Sequence, residues 1–335
     1  MTTYDDVSAR ARGLATHLFT PGEWQALADV PDLPALAARL NHAREPLHLR
    51  GPAPDAAFVE RAVRRRAGER LALLARWCGD RPALLEAIFG DEDRRSLRAL
   101  VRGAAAAAPP EARLAGTIPT PALPLRALET LAVQPSVPAV AALLVAWRHP
   151  AASALARAPR RGPPDLLLLD SALTREFTAR ALAAAPKGDA VLRWHLVELV
   201  DQENVLAALA LAESPAELEP AALFVEGGSV PLAALERVAR ARPRLPALQE
   251  AQQAFRGTVF EEAFTEVELS LLAQRLAAAH RAHLHAAARI DPLGSAPVLD
   301  YALRLRDEVE RFQQLAWGLA LDAPLAERLG EVHSR

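Results

Sequence analysis

Apolar positions three and four residues apart recur along nearly the whole chain. In "DAAFVERAVRRRAGERLALLARW", Phe58, Val59, Ala62, Val63, Leu71 and Leu74 fall on one side, with arginines on the other. That is the pattern of a helix with one face turned to a core. "TREFTARALAAA", "DAVLRWHLVELVDQENVLAALALA" and "APVLDYALRLRDEVERFQQLAWGLAL" follow it too. Extended period-two alternation, the mark of a half-buried strand, is almost absent. "DLLLLD" at 165–170 is short enough for a strand, but it lies between helical segments with no partner strand, so it reads as a helix start. The dominant Ala, Leu, Arg and Glu are strong helix formers. The sequence therefore predicts an all-α chain. Proline punctuates it at Pro109-Pro110, Pro159 and Pro163-Pro164, and "RAPRRGPPD" (157–165) is the clearest loop.

One punctuation mark repeats. "PDLPAL" (31–36), "PSVPAV" (135–140) and "PRLPAL" (243–248) start 104 and then 108 residues apart. The first Pro closes one helix. Asp32 or Ser136 then caps the next by accepting from a free N–H, and Pro34 or Pro138 sits in the first turn, where a missing N–H costs nothing. Arg244 occupies the cap position of the third copy, which requires a weaker or different cap. Other markers are collinear with the hexamers: Asp93 with Asp201, Ser96 with Asn204, Ile118 with Val225, Leu128 with Leu235 and Pro138 with Pro246. Self-similarity at a fixed period signals repeated structural units. We expect three related helical units, 1–92, 93–200 and 201–335, the last including a closing helix. "DEVERFQQLAWGLALDAPLAERL" (307–329) resembles the opening of a further unit, with Asp307 106 residues after Asp201. The last helix is thus expected to close on the first, "DDVSARARGLATHL", giving a pseudo-three-fold ring or funnel.

Composition narrows the function classes. Apolar residues make up 51% of the chain and charged ones 24%, which permits a large core and excludes disorder by low hydrophobicity. Lys plus Arg is 39 against Asp plus Glu 41, so the basic footprint of a nucleic-acid binder is missing. A lone Cys78 rules out an internal disulfide and suits a reducing compartment. "MTTYDDVSARARG" has no apolar stretch of the kind a secretion signal needs, and the run "VPAVAALLVAW" is too short to span a bilayer. A soluble, cytoplasmic protein is expected.

Reactive constellations are scarce. The chain has no Gly-x-x-x-x-Gly-Lys-(Ser/Thr), no Gly-x-Gly-x-x-Gly and no Gly-x-Ser-x-Gly. In "AHRAHLHAAAR", His280 and His283 share a helix face but His285 points away, so metal binding is not expected. Cys78 and the tryptophans Trp24, Trp77, Trp147, Trp194 and Trp317 read as packing residues on apolar helical faces. No cofactor and no catalytic residue is expected. Two polar clusters stand out: Asp201, Gln202, Glu203 and Asn204, read as the start of a helix, and the mixed charges Arg304, Arg306, Asp307, Glu308, Glu310 and Arg311 near the end. The first suits N-terminal capping and the second a solvated face; the second also suits the rim of a partner contact. A helical-repeat scaffold of the HEAT or armadillo kind stays open as an alternative, although its period is about 40–47 residues. An α-helical enzyme with paired acidic motifs would need more than Asp5-Asp6.

Tyr4 with Ser8-Ala9-Arg10-Ala11-Arg12, the segment "LFTPGEWQALAD", Asp201-Gln202-Glu203-Asn204-Val205 followed by "FVEGGSVPLAALERV", and Pro292-Leu293-Gly294 followed by Pro297, Tyr301 and Glu308-Val309 occur in this order. Together they resemble the C subunits of the V/A-type (vacuolar-type) rotary ATPases, the equivalent of the d subunits of eukaryotic vacuolar ATPases. Ser96 departs from the Asn usual in that family, and "ERFQQLA" from the usual Arg-Asn-Leu-Arg. The resemblance implies a non-catalytic socket. Three similar helical domains would form a funnel on the membrane rotor ring and receive the central shaft made of the D and F subunits, peripheral to the membrane on its cytoplasmic side. The expected partner-binding residues are Arg10, Arg12, Asp201, Glu203, Asn204, Asp307, Glu310 and Arg311.

Overall fold

A computed structural model describes residues 4–44, 46, 47, 49, 54–156, 165–214 and 218–324. Among these residues every regular element is helical, and the chain is all-α as expected. The order is α1 (Asp5–Ala15), α2 (Pro21–Ala28), α3 (Leu33–Asn41), α4 (Ala56–Trp77), α5 (Pro82–Leu85), α6 (Asp91–Ala105), α7 (Pro110–Arg113), α8 (Leu125–Ala132) and α9 (Val137–Ala146). There follow α10 (Ala152–Leu155), α11 (Leu166–Ala184), α12 (Ala190–Glu213), α13 (Pro220–Leu223), α14 (Leu232–Arg240), α15 (Arg244–Ala254), α16 (Leu269–Ile290) and α17 (Ala296–Ala320). A π-helical turn, Glu86–Gly90, joins α5 to α6, and a 3-10 turn, Glu261–Thr265, precedes α16. "DLLLLD" opens α11, with the Asp165 side chain accepting from Leu168 N at 3.1 Å. Residues 157–164 of the expected loop and 325–329 of the closing segment lie outside the described residues.

The three hexamers sit in the same local setting. Each lies at the bend between two short helices: α2 and α3, α8 and α9, α14 and α15. Asp32 accepts from Ala35 N at 2.8 Å and Ser136 from Ala139 N at 3.4 Å, with a proline in the first turn of each helix. α15 has Pro243 at its cap and no side-chain cap. Arg244 instead pairs with Glu213 and donates to Val267 O at 2.8 Å. After each short pair the next long helix is α4, α11 or α16, and after that comes the α5–α6 segment, α12 or α17.

The apolar faces gather into three clusters. One holds Leu97, Leu100, Leu128, Val140 and Leu173, and a second holds Val205, Leu235, Leu248, Phe255 and Leu276. The third combines α1 to α5 with α17, so Val7, Leu40 and Leu74 share a core with Leu315 and Leu319. α17 packs along α4 and α1, bringing the last helix against the first. Long helices serve two clusters: Leu192, Leu196 and Leu199 of α12 join one, while Val205, Ala208 and Leu209 join another. Residues 92 and 93 lie within α6, and 200 and 201 within α12. The α17 contact is locked by aromatics. Phe312 meets Phe19 edge-on at 5.2 Å between centroids and Trp24 at 4.5 Å.

The tryptophans correct one expectation. Trp24 is buried, but Trp147 and Trp317 are 41% and 42% exposed. Trp147 is the residue that ends α9. Trp317 keeps its indole N–H bonded to Glu60 Oε2 at 3.0 Å, as a large ring with one polar atom does at the edge of a core.

Candidate functional site

Asp201 does not begin a helix. It lies inside α12, which starts at Ala190, and it is 1% exposed, as is Asn204. N-terminal capping is therefore replaced by a different job, pinning the turn that follows the helix. The Asp201 carboxylate accepts from Ser229 N at 3.0 Å, Val230 N at 3.1 Å and the Ser229 hydroxyl. Asn204 donates to Val225 O at 2.8 Å and accepts from Val225 N at 2.7 Å. A Cβ on Gly228 would meet Asp201 Oδ1 at 2.2 Å, so the turn needs glycine there. The earlier copy repeats the device. Asp93 accepts from the Thr120 hydroxyl, and Ser96 Oγ from Ile118 N at 3.4 Å. The shorter Ser reaches one backbone group where Asn reaches two.

Glu203 is half-buried and bridges helices. It accepts from Arg94 at 2.9 Å and from Arg98 at 2.7 Å. Arg98 approaches Asp170 of α11 at 3.5 Å, Arg102 also pairs with Asp170, and Asp91 holds Arg94 and Arg95. Arg306 of α17 continues the seam to Glu92 and, at 2.9 Å, to Glu310. Burial pushes the Glu203 carboxyl up, but the guanidiniums of Arg94 and Arg98 outweigh it and hold the group well below its ordinary range. At Glu92 burial wins over Arg306 and Arg95, and the carboxyl is pushed up to about 7. Buried pairs like these stabilise little in net terms, yet removing one partner costs about 3–5 kcal/mol.

The mixed-charge helix α17 is not simply a solvated face. Glu308 is 4% exposed and takes Arg66 at 3.2 Å, Arg70 at 3.1 Å and Phe19 N at 2.8 Å. Asp307, on the neighbouring face, pairs with Arg281 at 3.1 Å and Arg311 at 2.9 Å. Glu310 and Arg311 are exposed, with the Arg311 guanidinium 5.8 Å from the Trp24 ring. Arg10 and Arg12 are exposed on α1, Arg10 lying 5.4 Å over Trp77. The structure thus brings Asp307, Glu310 and Arg311 together on α17 and leaves Arg10 and Arg12 on α1. Asp201 and Asn204 are inside.

The first and last motifs of the chain meet. Ser8 donates to Gly294 O at 2.6 Å, Asp6 holds Arg81 at 2.6 Å, and Ser295 donates to Asp189 at 2.8 Å. The segments before α5, α12 and α17 are in this way linked to each other or to α1. His280 meets His195, His283 stacks on Trp194 at 4.1 Å, and His285 lies 3.2 Å from Asp300. The Cys78 thiol is buried and pushed up to about 11 by desolvation, which disfavours the reactive thiolate. Among the described residues no group of three or more His, Cys, Asp or Glu is arranged to hold a metal, and no helix is long and apolar enough to cross a membrane.

The fold and these contacts define an all-helical protein whose polar side chains hold its own helices together. The family model described as ATP synthase (C/AC39) subunit matches residues 7–324. The chain belongs to that family. It is similar to the C subunit of the A-type ATP synthase of Halorubrum lacusprofundi, 30% identical over 170 residues covering 46% of this chain and 45% of the relative. The corresponding A-type ATP synthase C subunit of Haloquadratum walsbyi is 26% identical over 159 residues, covering 46% of each. The chain spans just under half the length of the curated relatives it matches.

Proposed function

We propose that this chain is the non-catalytic central-stalk socket of a V/A-type rotary complex. It couples a D–F shaft to the membrane rotor ring for ATP-driven ion transport or ion-driven ATP synthesis, peripheral to the membrane on its cytoplasmic side. The observation that carries this is the packing of α17 on α1 and α4. It gives the first short pair, α2 and α3, the same kind of long neighbouring helix that α6 gives the second and α12 the third. In this reading three units, close to 1–92, 93–200 and 201–335, share long helices and surround an opening fit to receive a shaft.

The exposed charges Arg10, Arg12, Glu310 and Arg311 are the groups a partner would meet. Asp201, Glu203, Asn204 and Asp307 would act through the shape they hold. Rim charges of this kind govern encounter and salt dependence more than final affinity. Size-exclusion of the chain with a purified D–F pair at low salt should give a co-eluting complex that weakens as salt rises. Separate elution at low salt would remove the socket reading.

A further inference from the structure

Between α12 and α16 lies a buried chain of neutral groups. His195 Nδ1 is 2.9 Å from His280 Nε2, and His280 Nδ1 is 2.6 Å from Gln202 Nε2. The two histidines are 3% and 5% exposed. An amide nitrogen only donates, so Gln202 donates to His280 Nδ1. The proton of a neutral His280 is then on Nε2, where it donates to His195 Nδ1. His195 in turn carries its proton on Nε2. One amide orientation thus sets both tautomers.

Charged and titratable groups approach the pair from α6, α17, α16 and α12. α6 offers Asp91, Glu92 and Arg95, and α17 offers Arg306, around a cavity of about 30 Å³ that His195 also lines. That space is sufficient for one water. α16 adds His283, stacked on Trp194, and α12 itself carries the buried Glu198. Burial pushes His195 down to about 4, against the pull of Asp91 and with the push of Arg95. Burial, then His195 and Arg95, hold His280 well below its ordinary value.

We propose that the Gln202–His280–His195 chain is an acid-operated joint, holding α12 to α16 while both rings are neutral and releasing them when the pair takes up protons. The first added proton goes to His280 Nδ1 and forces the Gln202 amide to turn so that its oxygen accepts. A second, on His195 Nδ1, sets N–H against N–H. Either charge is stranded from water until the helices part.

The closed state binds fewer protons than the open one between about 6.5 and about 4. Its stability is therefore complete above about 6.5 and is lost as the pH falls towards 4. Glu198 runs the other way, since burial and then Asp201 push it up to about 7. The joint must accordingly be read as a difference between variants.

The test is hydrogen exchange of the full chain from pH 7.5 to 5, corrected for intrinsic rates, with α4 as the internal reference. Relative to His195→Gln, which removes that titrating ring, opening of α12 and α16 should rise roughly 30-fold by pH 5. Parallel profiles for the two proteins would overturn the proposal. If His195→Gln does not fold, Gln202→Glu places a carboxylate beside His280 and keeps both rings. It should raise the titration of the histidine ring resonances by about one unit or more. Unmoved resonances would overturn the proposal equally.

Discussion

At the scale of single residues, the sequence shows which side chains are polar but not which way they face. Glu308 stands in a run of charges on α17, and nothing in the run sets it apart from Asp307 or Glu310. Its partners Arg66 and Arg70 are more than 200 positions away, so only the fold reveals that one carboxylate meets both guanidiniums. Glu308→Ala leaves those cations buried and should cost about 3–5 kcal/mol in urea unfolding. Glu198 is the opposite case, a carboxylate 7% exposed that burial and then Asp201 push up to about 7. A folded-state value raised above 4.5 contributes stability below 4.5 that is lost as the pH rises through about 7. Glu198→Gln should therefore match the parent near pH 4 and exceed it by about 1–3 kcal/mol at pH 8, read from urea midpoints. A variant less stable than the parent at pH 8 would contradict that sign. His195, Arg94 and Arg98 were invisible as site residues for the same reason as Glu308: their partners lie on other helices.

At the scale of elements, most of the chain was legible. A period of 3.6 with few breaks leaves little choice but helix, and the hexamer's Asp32 and Ser136 sit at the caps their chemistry predicts. Asp32→Ala should lower stability by about 1 kcal/mol in thermal or urea melts, whereas Arg244→Ala should not act through a lost cap, because α15 has no side-chain cap. What misled was a polar cluster in mid-helix. "DQEN" resembles a helix start because acids and amides are favoured there. In α12 those residues are internal, and two of them reach the turn at 225–230. The repeat already held the clue. The pairs 93/201, 96/204 and 118/225 are spaced as a helix and the turn it pins, but a contact across that distance is not written in local periodicity. Trp147 and Trp317 show a second limit: an apolar face predicts that a ring packs, not that it is fully covered.

At the scale of the whole molecule, the three helix pairs recur in chain order, and the last helix returns to the first. A closed order of this kind ties stability to both ends at once, since Val7 and Leu315 belong to one core. The coupling role proposed above starts from membership of the ATP synthase (C/AC39) subunit family. The most direct test of that role is coupling in a reconstituted complex lacking only this chain. The account predicts that ATP hydrolysis by the remaining catalytic subunits persists while ion transport stops, and that adding the purified chain restores transport. Transport that continues unchanged without it, or ATP hydrolysis by the chain alone, would contradict the account.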